Sequence, residues 1–470
     1  MPRLSLMLML IACMAFGCGR DNDRETTADR APQSEEFVAP SLPADEPSEE
    51  ASKTDAPTDE LAGPQFATPE SVKTPEPLPL FAPGLFTQPR QAPQTALAPS
   101  PTTPAAAAPL PYDVVRVFYG TNRVHTGSPN PKTFYGQGRG DVSYGHCDVS
   151  IPRNHQKGKL ESPSIWRFEF REDPKKHVVL LGVVEKPQAQ FMSELRQVVW
   201  NSMKVVDTEN GPALAGGEAL VFVHGFNNSF EDAARRTAQI AHDLKFQGAP
   251  VMYSWPSQEK SSLEAYREDG HMAGWSEEHL IDFVTQVARD SGARKVHLVA
   301  HSMGNRIVSG ALRRLAEQCA TRQIPKFNEV ILSAPDIDAD YFKTAIAPYI
   351  TQTADRITIY SSSRDIALKL SSLFNPLARR RLGESGSELT LFPEFNNIDV
   401  IDATDVETDL FTLNHSYHAS SPTVLNDIQL LLAGYTTEER GLSSMLNHLA
   451  WRIRNLGQQL SDRTLGSQSN

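Results

Sequence analysis

The chain has 470 residues, of which 40% are hydrophobic and 22% charged, with a formal net charge of −12. An acidic chain without a basic stripe excludes a phosphate-backbone binder, so no nucleic-acid partner is expected. No C-x-x-C and no spaced His/Cys cluster stands out, so neither a metal nor a cofactor is expected.

Met1-Pro2-Arg3 carries a positive charge and the following residues to Phe16 are largely apolar. The run is too short to cross a bilayer and reads as a secretory signal over residues 1–18. It ends Ala15-Phe16-Gly17-Cys18, which resembles a bacterial lipobox in which Cys18 is acylated and becomes the mature N-terminus. Leu10-Ile11-Ala12-Cys13 is a competing lipobox with a cramped apolar run. Gly19 rather than Asp follows Cys18, so the expected location is an exported, membrane-anchored protein at the outer membrane or periplasmic face. From 19 to 111, Pro, Ala, Ser, Thr, Asp and Glu dominate and no hydrophobic period survives. Such a segment buries too little apolar surface to offset its ordering entropy. It is expected to be a disordered tether with a reach on the order of 50–60 Å.

All five Trp lie beyond residue 165, and periodic sequence begins near Tyr112. The folded domain is therefore expected over 112–435. Strands are expected over residues 114–119, 142–151, 166–171 and 178–184, bounded by Gly, Pro and Asn, as a β-rich N-terminal addition. A helix follows over 188–204, with Phe191, Leu195, Val198 and Val199 on one face. Strand and helix then alternate: strand 219–224, a helix opening at Ser229 with Asp232 three residues on, strand 251–253, helix 276–290, strand 296–300, helix 305–317, and strands 330–333, 357–360 and 398–401. That order predicts a mostly parallel central sheet with helices on both faces. In the tail, 436–470, Leu442, Met445, Leu446, Leu449, Ile453 and Leu456 predict an amphipathic helix. With the signal's two cysteines set aside, Cys147 and Cys319 remain, and their pairing is left open.

The organising stretch is Ala300-His301-Ser302-Met303-Gly304. It joins a buried strand to a helix and matches the nucleophile elbow G-x-S-x-G, with Ala for the first Gly. The turn presents a serine hydroxyl above the sheet, next to the N–H groups of a helix start. A serine needs a base, and the base needs a carboxylate; in a doubly wound sheet these converge at the carboxyl ends of strands. Asp365 stands in a polar loop after strand 357–360, although it also suits an N-cap for a helix from Ile366. Asp336 is the reserve acid. After the last strand come His415 and His418, which position alone does not separate. The oxyanion formed in acyl transfer needs two aligned donors. These are expected from Met303 N–H and from Phe226 N–H, in the turn after His224-Gly225. His224 is expected to order that turn, and Asp269 to line a pocket wall or cap a helix.

Several stretches together resemble a bacterial family of uncharacterised α/β-hydrolases assigned to the esterase/lipase superfamily. They are 220–230 around His224-Gly225-Phe226-Asn227-Asn228-Ser229, Ser254-Trp255-Pro256-Ser257, Tyr266 with Asp269, the elbow itself and Ala334-Pro335-Asp336-Ile337-Asp338. Tyr360 through Asp365 to Leu368, His415-Ser416-Tyr417, Phe118-Tyr119-Gly120-Thr121-Asn122-Arg123, and Val149-Ser150-Ile151-Pro152 with His155 and Gly158 belong to the same pattern. The resemblance runs from about residue 112 to 432. It implies the α/β-hydrolase fold and carries over Ser302, Asp365 and His415 as nucleophile, acid and base. It implies no particular substrate. The expected activity is hydrolysis of a small-molecule or lipid ester. An acyltransferase or thioesterase on the same residues, or a catalytically silent binding lipoprotein, is the alternative. The sequence leaves the oligomeric state open.

Overall fold

The computed structural model describes residues 110–163, 169–208, 211–374, 380–385, 389–406 and 415–453. The expected signal segment with Cys18 and nearly all of the expected tether lie outside these residues, as does 454–470.

The chain enters through an antiparallel meander, β1 (Tyr112–His125), β2 (Tyr135–Pro152) and β3 (Val179–Lys186). The strand expected over 166–171 falls partly outside the described residues, and 169–171 belong to no strand. Helix α1 (Gln188–Asn201) buries Phe191, Met192, Leu195 and Val199, one face at helical spacing. It stops at Asn201, short of the expected 204, because β4 (Lys204–Thr208) pairs with β5 (Gly211–Ala215) in a separate two-stranded hairpin.

The alternating part then runs β6 (Glu218–Val223), α2 (Phe230–Asp243), β7 (Ala249–Ser254), α3 (Leu263–Asp290), β8 (Lys295–His301), α4 (Gly304–Ala320) and β9 (Phe327–Ser333). It continues through short helical turns over 339–350 to β10 (Ala354–Ser361), α5 (Ile366–Phe374), β11 (Ile398–Asp402), α6 (Tyr417–Ser420) and α7 (Pro422–Leu432). Ser229 caps α2 in a reciprocal capping box with Asp232. Helix α3 starts at Leu263 rather than 276, capped by Ser262. Its first half buries Ala265, Asp269, Met272 and Ala273, small or polar residues that leave little hydrophobic period to read.

Among the described residues eleven strands, the last two being β12 (Ser443–Met445) and β13 (Ala450–Arg452), form one sheet in the order β12-β13-β11-β10-β9-β8-β6-β7-β1-β2-β3. Every neighbouring pair from β13 to β1 is parallel, and the antiparallel pairs lie at the two ends. The β-rich addition is thus an extension of the main sheet, joined where Phe118 of β1 pairs with Val251 of β7. Alternate residues of the buried strands feed opposite faces. Val221, Val223, Leu298 and Ala300 pack with Leu280, Phe283, Ile307 and Leu312, while Leu220, Phe222, Val299 and Ile331 pack with Ile240, Leu425 and Ile428. Strand β7 lies on one side of β6 and β8 on the other, which opens a crevice at the carboxyl ends of β6 and β8.

The expected helical tail is corrected by the structure. Residues Ser443–Met445 (β12) and Ala450–Arg452 (β13) form a hairpin, and β13 runs parallel to β11. Leu446, Asn447 and His448 have φ of 50, 55 and 66°, three successive left-handed residues that a right-handed helix excludes. Ala450, Trp451 and Ile453 are buried, so the apolar residues serve a strand and the segment after it. The hairpin pairs the β11 edge, which otherwise presents open backbone groups. Cys147 and Cys319 are buried free thiols.

Candidate active site

The chain passes from β8 to α4 in two residues, and Ser302 takes up the reversal with a φ of 53°. A left-handed serine is strained and persists only where its surroundings hold it. Here Ser302 N–H donates to Ser333 O at 3.0 Å, and the N–H groups of Asn305 and Asp336 donate to Ser302 O at 3.1 and 3.3 Å. Asn305 Nδ2 bridges the carbonyls of Ser302 and Ser333 at 2.9 and 3.0 Å. Both small residues of the crevice are needed for space. A Cβ on Gly304 would lie 2.4 Å from His224 O, and one on Gly225 would lie 2.8 Å from Ser302 Cβ. The elbow and the turn after β6 are therefore in direct contact. Met303 is the N-cap of α4, so its N–H is among the donors that no helical carbonyl takes.

The turn after β6 is braced from several directions. Asn227 is left-handed at φ 57°. Asn228 Nδ2 donates to the carbonyls of Gly225 and Phe226 at 3.2 and 2.7 Å. Arg123, fully buried and reaching in from β1, donates to Asn228 O at 2.6 Å and to Ser254 Oγ at 2.9 Å. Asp269, within α3, accepts from Ser257 Oγ at 2.5 Å and from Gln258 N–H at 2.7 Å. Ser257 Oγ in turn accepts from Asn228 N–H at 3.3 Å. Asp269 is thus a brace for the loop and not a helix cap. His224 stacks on Trp255 with ring centres 5.2 Å apart. Its Nδ1 lies 2.9 Å from Gly225 O and its Nε2 3.2 Å from Ser254 Oγ. Burial, with the charge of Arg123 beside it, pushes its pKa down to about 3. A neutral His224 donates from Nδ1 and accepts at Nε2, which is the ordering geometry.

Asp365 is fully buried and each of its oxygens has a partner. Oδ1 accepts from Leu368 N–H at 3.0 Å and caps α5, while Oδ2 lies 2.7 Å from His415 Nδ1. One carboxylate thus meets both the first turn of α5 and the His415 ring. His415 O accepts from His301 Nε2 at 3.1 Å, and the His301 and His415 rings lie 4.7 Å apart. That contact sets His415 beside the chain neighbour of Ser302. Burial pushes the His415 pKa down, but the charge and hydrogen bond of Asp365, with a contribution from Asp336, outweigh it and leave it raised. His418 has a different setting. It is buried, stacks on His301 at 4.2 Å and on Phe222 at 6.1 Å, and neither ring nitrogen has a hydrogen-bond partner. Burial, then Arg236 and His415, hold its pKa well below the usual value.

The reserve acid, Asp336, meets no histidine among the described residues. It accepts from Tyr266 Oη at 2.7 Å, Arg306 Nη2 at 2.9 Å and Ser371 Oγ at 2.7 Å, and Arg381 Nε lies 3.1 Å away. The Arg306 side chain stacks over Tyr266, which packs edge-on against Phe226. Sequence reasoning gave no role to Asn305, Arg123, Trp255 or Arg306. The first follows Ser302 by three residues, in the opening turn of α4 and within reach of a local reading. Arg123 and Trp255 act across long separations, which no local motif reveals.

No curated protein matches this chain. Among solved structures, a protein of the alpha/beta hydrolase superfamily from Xanthomonas campestris pv. campestris is 15% identical, over 46% of this chain and 99% of that one, with a TM-score of 0.25. An esterase from Pyrococcus furiosus is 10% identical, over 43% of this chain and 82% of that one, with a TM-score of 0.19. Likenesses this slight carry no argument. The described sheet, with its elbow at the carboxyl end of β8, is an α/β-hydrolase fold, and residues 212–433, which hold Ser302, Asp365 and His415, match the family described as "Alpha/beta hydrolase of unknown function (DUF900)".

Proposed function

We propose that this chain is a serine hydrolase that cleaves carboxylic esters. Ser302 Oγ attacks the acyl carbon as His415 Nε2 takes its proton, and the peptide N–H groups of Met303 and Phe226 hold the oxyanion. His415 then gives the proton to the departing alkoxide, leaving an acyl-serine. Water, deprotonated by the same imidazole, attacks the acyl-serine and releases the carboxylic acid. Asp365 keeps Nδ1 protonated and balances the imidazolium charge. The observation that carries this reading is the 2.7 Å contact of Asp365 Oδ2 with His415 Nδ1, on a histidine whose own carbonyl is bonded to His301. A fluorophosphonate probe should label the wild-type chain at Ser302. Ser302→Ala should lose labelling and lower ester turnover by about 10⁴-fold or more while remaining folded. Undiminished activity in that variant overturns the assignment.

The same reading includes a lipid anchor on Cys18, supported by the apolar leader and the cysteine at its end. Among the described residues no helix is long and apolar enough to cross a membrane. Cys18→Ser should move the protein from the membrane to the soluble fraction, and fatty-acid labelling that persists in Cys18→Ser refutes the anchor.

A further inference from the structure

A second cluster of ligating side chains lies where the segment after β2 meets the last turn of α2, outside the residues assigned to the ester chemistry. His155 Nε2 is 2.9 Å from Asp243 Oδ1, and His242 Nδ1 is 3.8 Å from the same oxygen. The three ligand atoms all lie within 4.8 Å of one another. Zinc bonds of about 2.0–2.2 Å in tetrahedral array put ligand atoms roughly 3.3 Å apart, so small adjustments bring these three to that spacing. We infer that His155, His242 and Asp243 form a zinc-binding site.

The atoms behind each donor support this more than the cluster alone. A metal-ligating histidine gives its other ring N–H to a carboxylate or carbonyl, which fixes tautomer and ring orientation. His155 Nδ1 is hydrogen-bonded to Glu161 Oε2 at 2.8 Å, whereas His242 Nε2 only faces the exposed Asp113 carboxylate, at 3.7 Å. The second oxygen of Asp243 accepts from Gly158 N–H at 2.7 Å and from Gln239 Nε2 at 2.5 Å, which leaves Oδ1 turned to the two rings. The rings stand nearly perpendicular, with centres 5.3 Å apart. A carboxylate–imidazole–carboxylate clamp of Asp243, His155 and Glu161 satisfies itself without a metal, but it does not employ His242. That residue's Nδ1 is shielded from solvent and has no hydrogen-bond partner. Two imidazole nitrogens and one carboxylate oxygen suit Zn²⁺, whereas Ca²⁺ and Mg²⁺ take oxygen sets. Binding releases the proton that His155 and Asp243 otherwise share.

The site has a mechanical consequence. Gln239 Nε2 also donates to Ala419 O at 3.0 Å, and Gly158, at φ 87°, packs so closely that a Cβ there would lie 2.4 Å from Ser420 O. A metal on Asp243 therefore fastens the segment after β2 to α2 and, through Gln239, to the helical turn that follows His415.

The test uses the full chain, stripped with chelator and titrated with zinc chloride by calorimetry, with thermal unfolding in parallel. One equivalent should bind and raise Tm. His242→Ala, at a partly exposed position, should weaken zinc binding at least tenfold and leave the metal-free Tm unchanged, and Glu161→Gln should weaken it about 10–100-fold. X-ray absorption of the loaded protein should show nitrogen and oxygen ligands with imidazole scattering. Absence of binding, binding unchanged in His242→Ala, or sulfur in the zinc shell overturns the site.

Discussion

Around Ser302 the backbone bonds to backbone: the elbow's N–H and C=O groups pair with Ser333, Asn305 and Asp336. Around His415 the bonds run through side chains drawn from separate segments, Asp365 after β10 and His301 at the end of β8, with Gln239 of α2 holding Ala419 just beyond. The nucleophile's geometry is therefore set mainly by backbone pairing, helped by the Asn305 amide and the close approach at Gly304, and truncating the Ser302 side chain itself alters chemistry and little else. The base's geometry is the sum of a few long-range contacts, each removable by one substitution.

The largest effect expected on the base side is His415→Ala, which should cost as much turnover as Ser302→Ala, about 10⁴-fold or more. His418→Ala removes a stacking surface and no proton carrier, and should cost far less. Equal losses in the two variants, measured as kcat on one ester, would erase the distinction between them. Asp365→Asn comes next. Its carboxamide oxygen can still cap α5, so the fold should hold while kcat falls by roughly 10³–10⁴-fold. The residual pH profile carries the sign. Activity requires neutral His415, whose pKa is raised, so the wild-type rate falls as pH drops through a value above the ordinary 6.5 or so. Removing the Asp365 charge lowers that pKa, and the acid limb should move to lower pH. A limb that stays in place would show that another charge sets it.

The smallest effect is on stability. His224, His301 and His418 are buried with lowered pKa values, chiefly through burial. The unfolded chain takes up their protons first as pH falls below about 6.5, so stability should drop from there downward. The slope is at most about 1.4 kcal/mol per pH unit for each histidine. Urea midpoints between pH 7 and pH 4 measure it, and His418→Phe should flatten the slope by one histidine's share. An unchanged slope would mean that His418 titrates alike in both states.

The same contrast explains what was legible in the sequence. Strands β6 and β8, helix α4 and the elbow follow from local apolar runs, a helical period and two small residues. The two histidines after β11 are three positions apart, the second already within α6, and the carboxylate that meets His415 lies 50 residues earlier, where spacing alone does not reveal it. The tail misled because Leu442, Met445, Leu446 and Leu449 satisfy a helical spacing, whereas a turn of three left-handed residues and an open β11 edge decide for a hairpin. The His155–Asp243 contact spans 88 residues and has no local signature at all.

Arg123 has a kinetic consequence. Strand β1 is the first of the described strands, yet Arg123 reaches Ser254, 131 residues later, and in doing so braces the turn that carries Phe226. Closing so long a loop is slow relative to forming the β6–α2–β7 unit, whose contacts are local. Newly made chains therefore hold one edge of β1 open, its other edge already paired with β2, until β7 has emerged and folded, and the brace on this turn falls into place late in assembly.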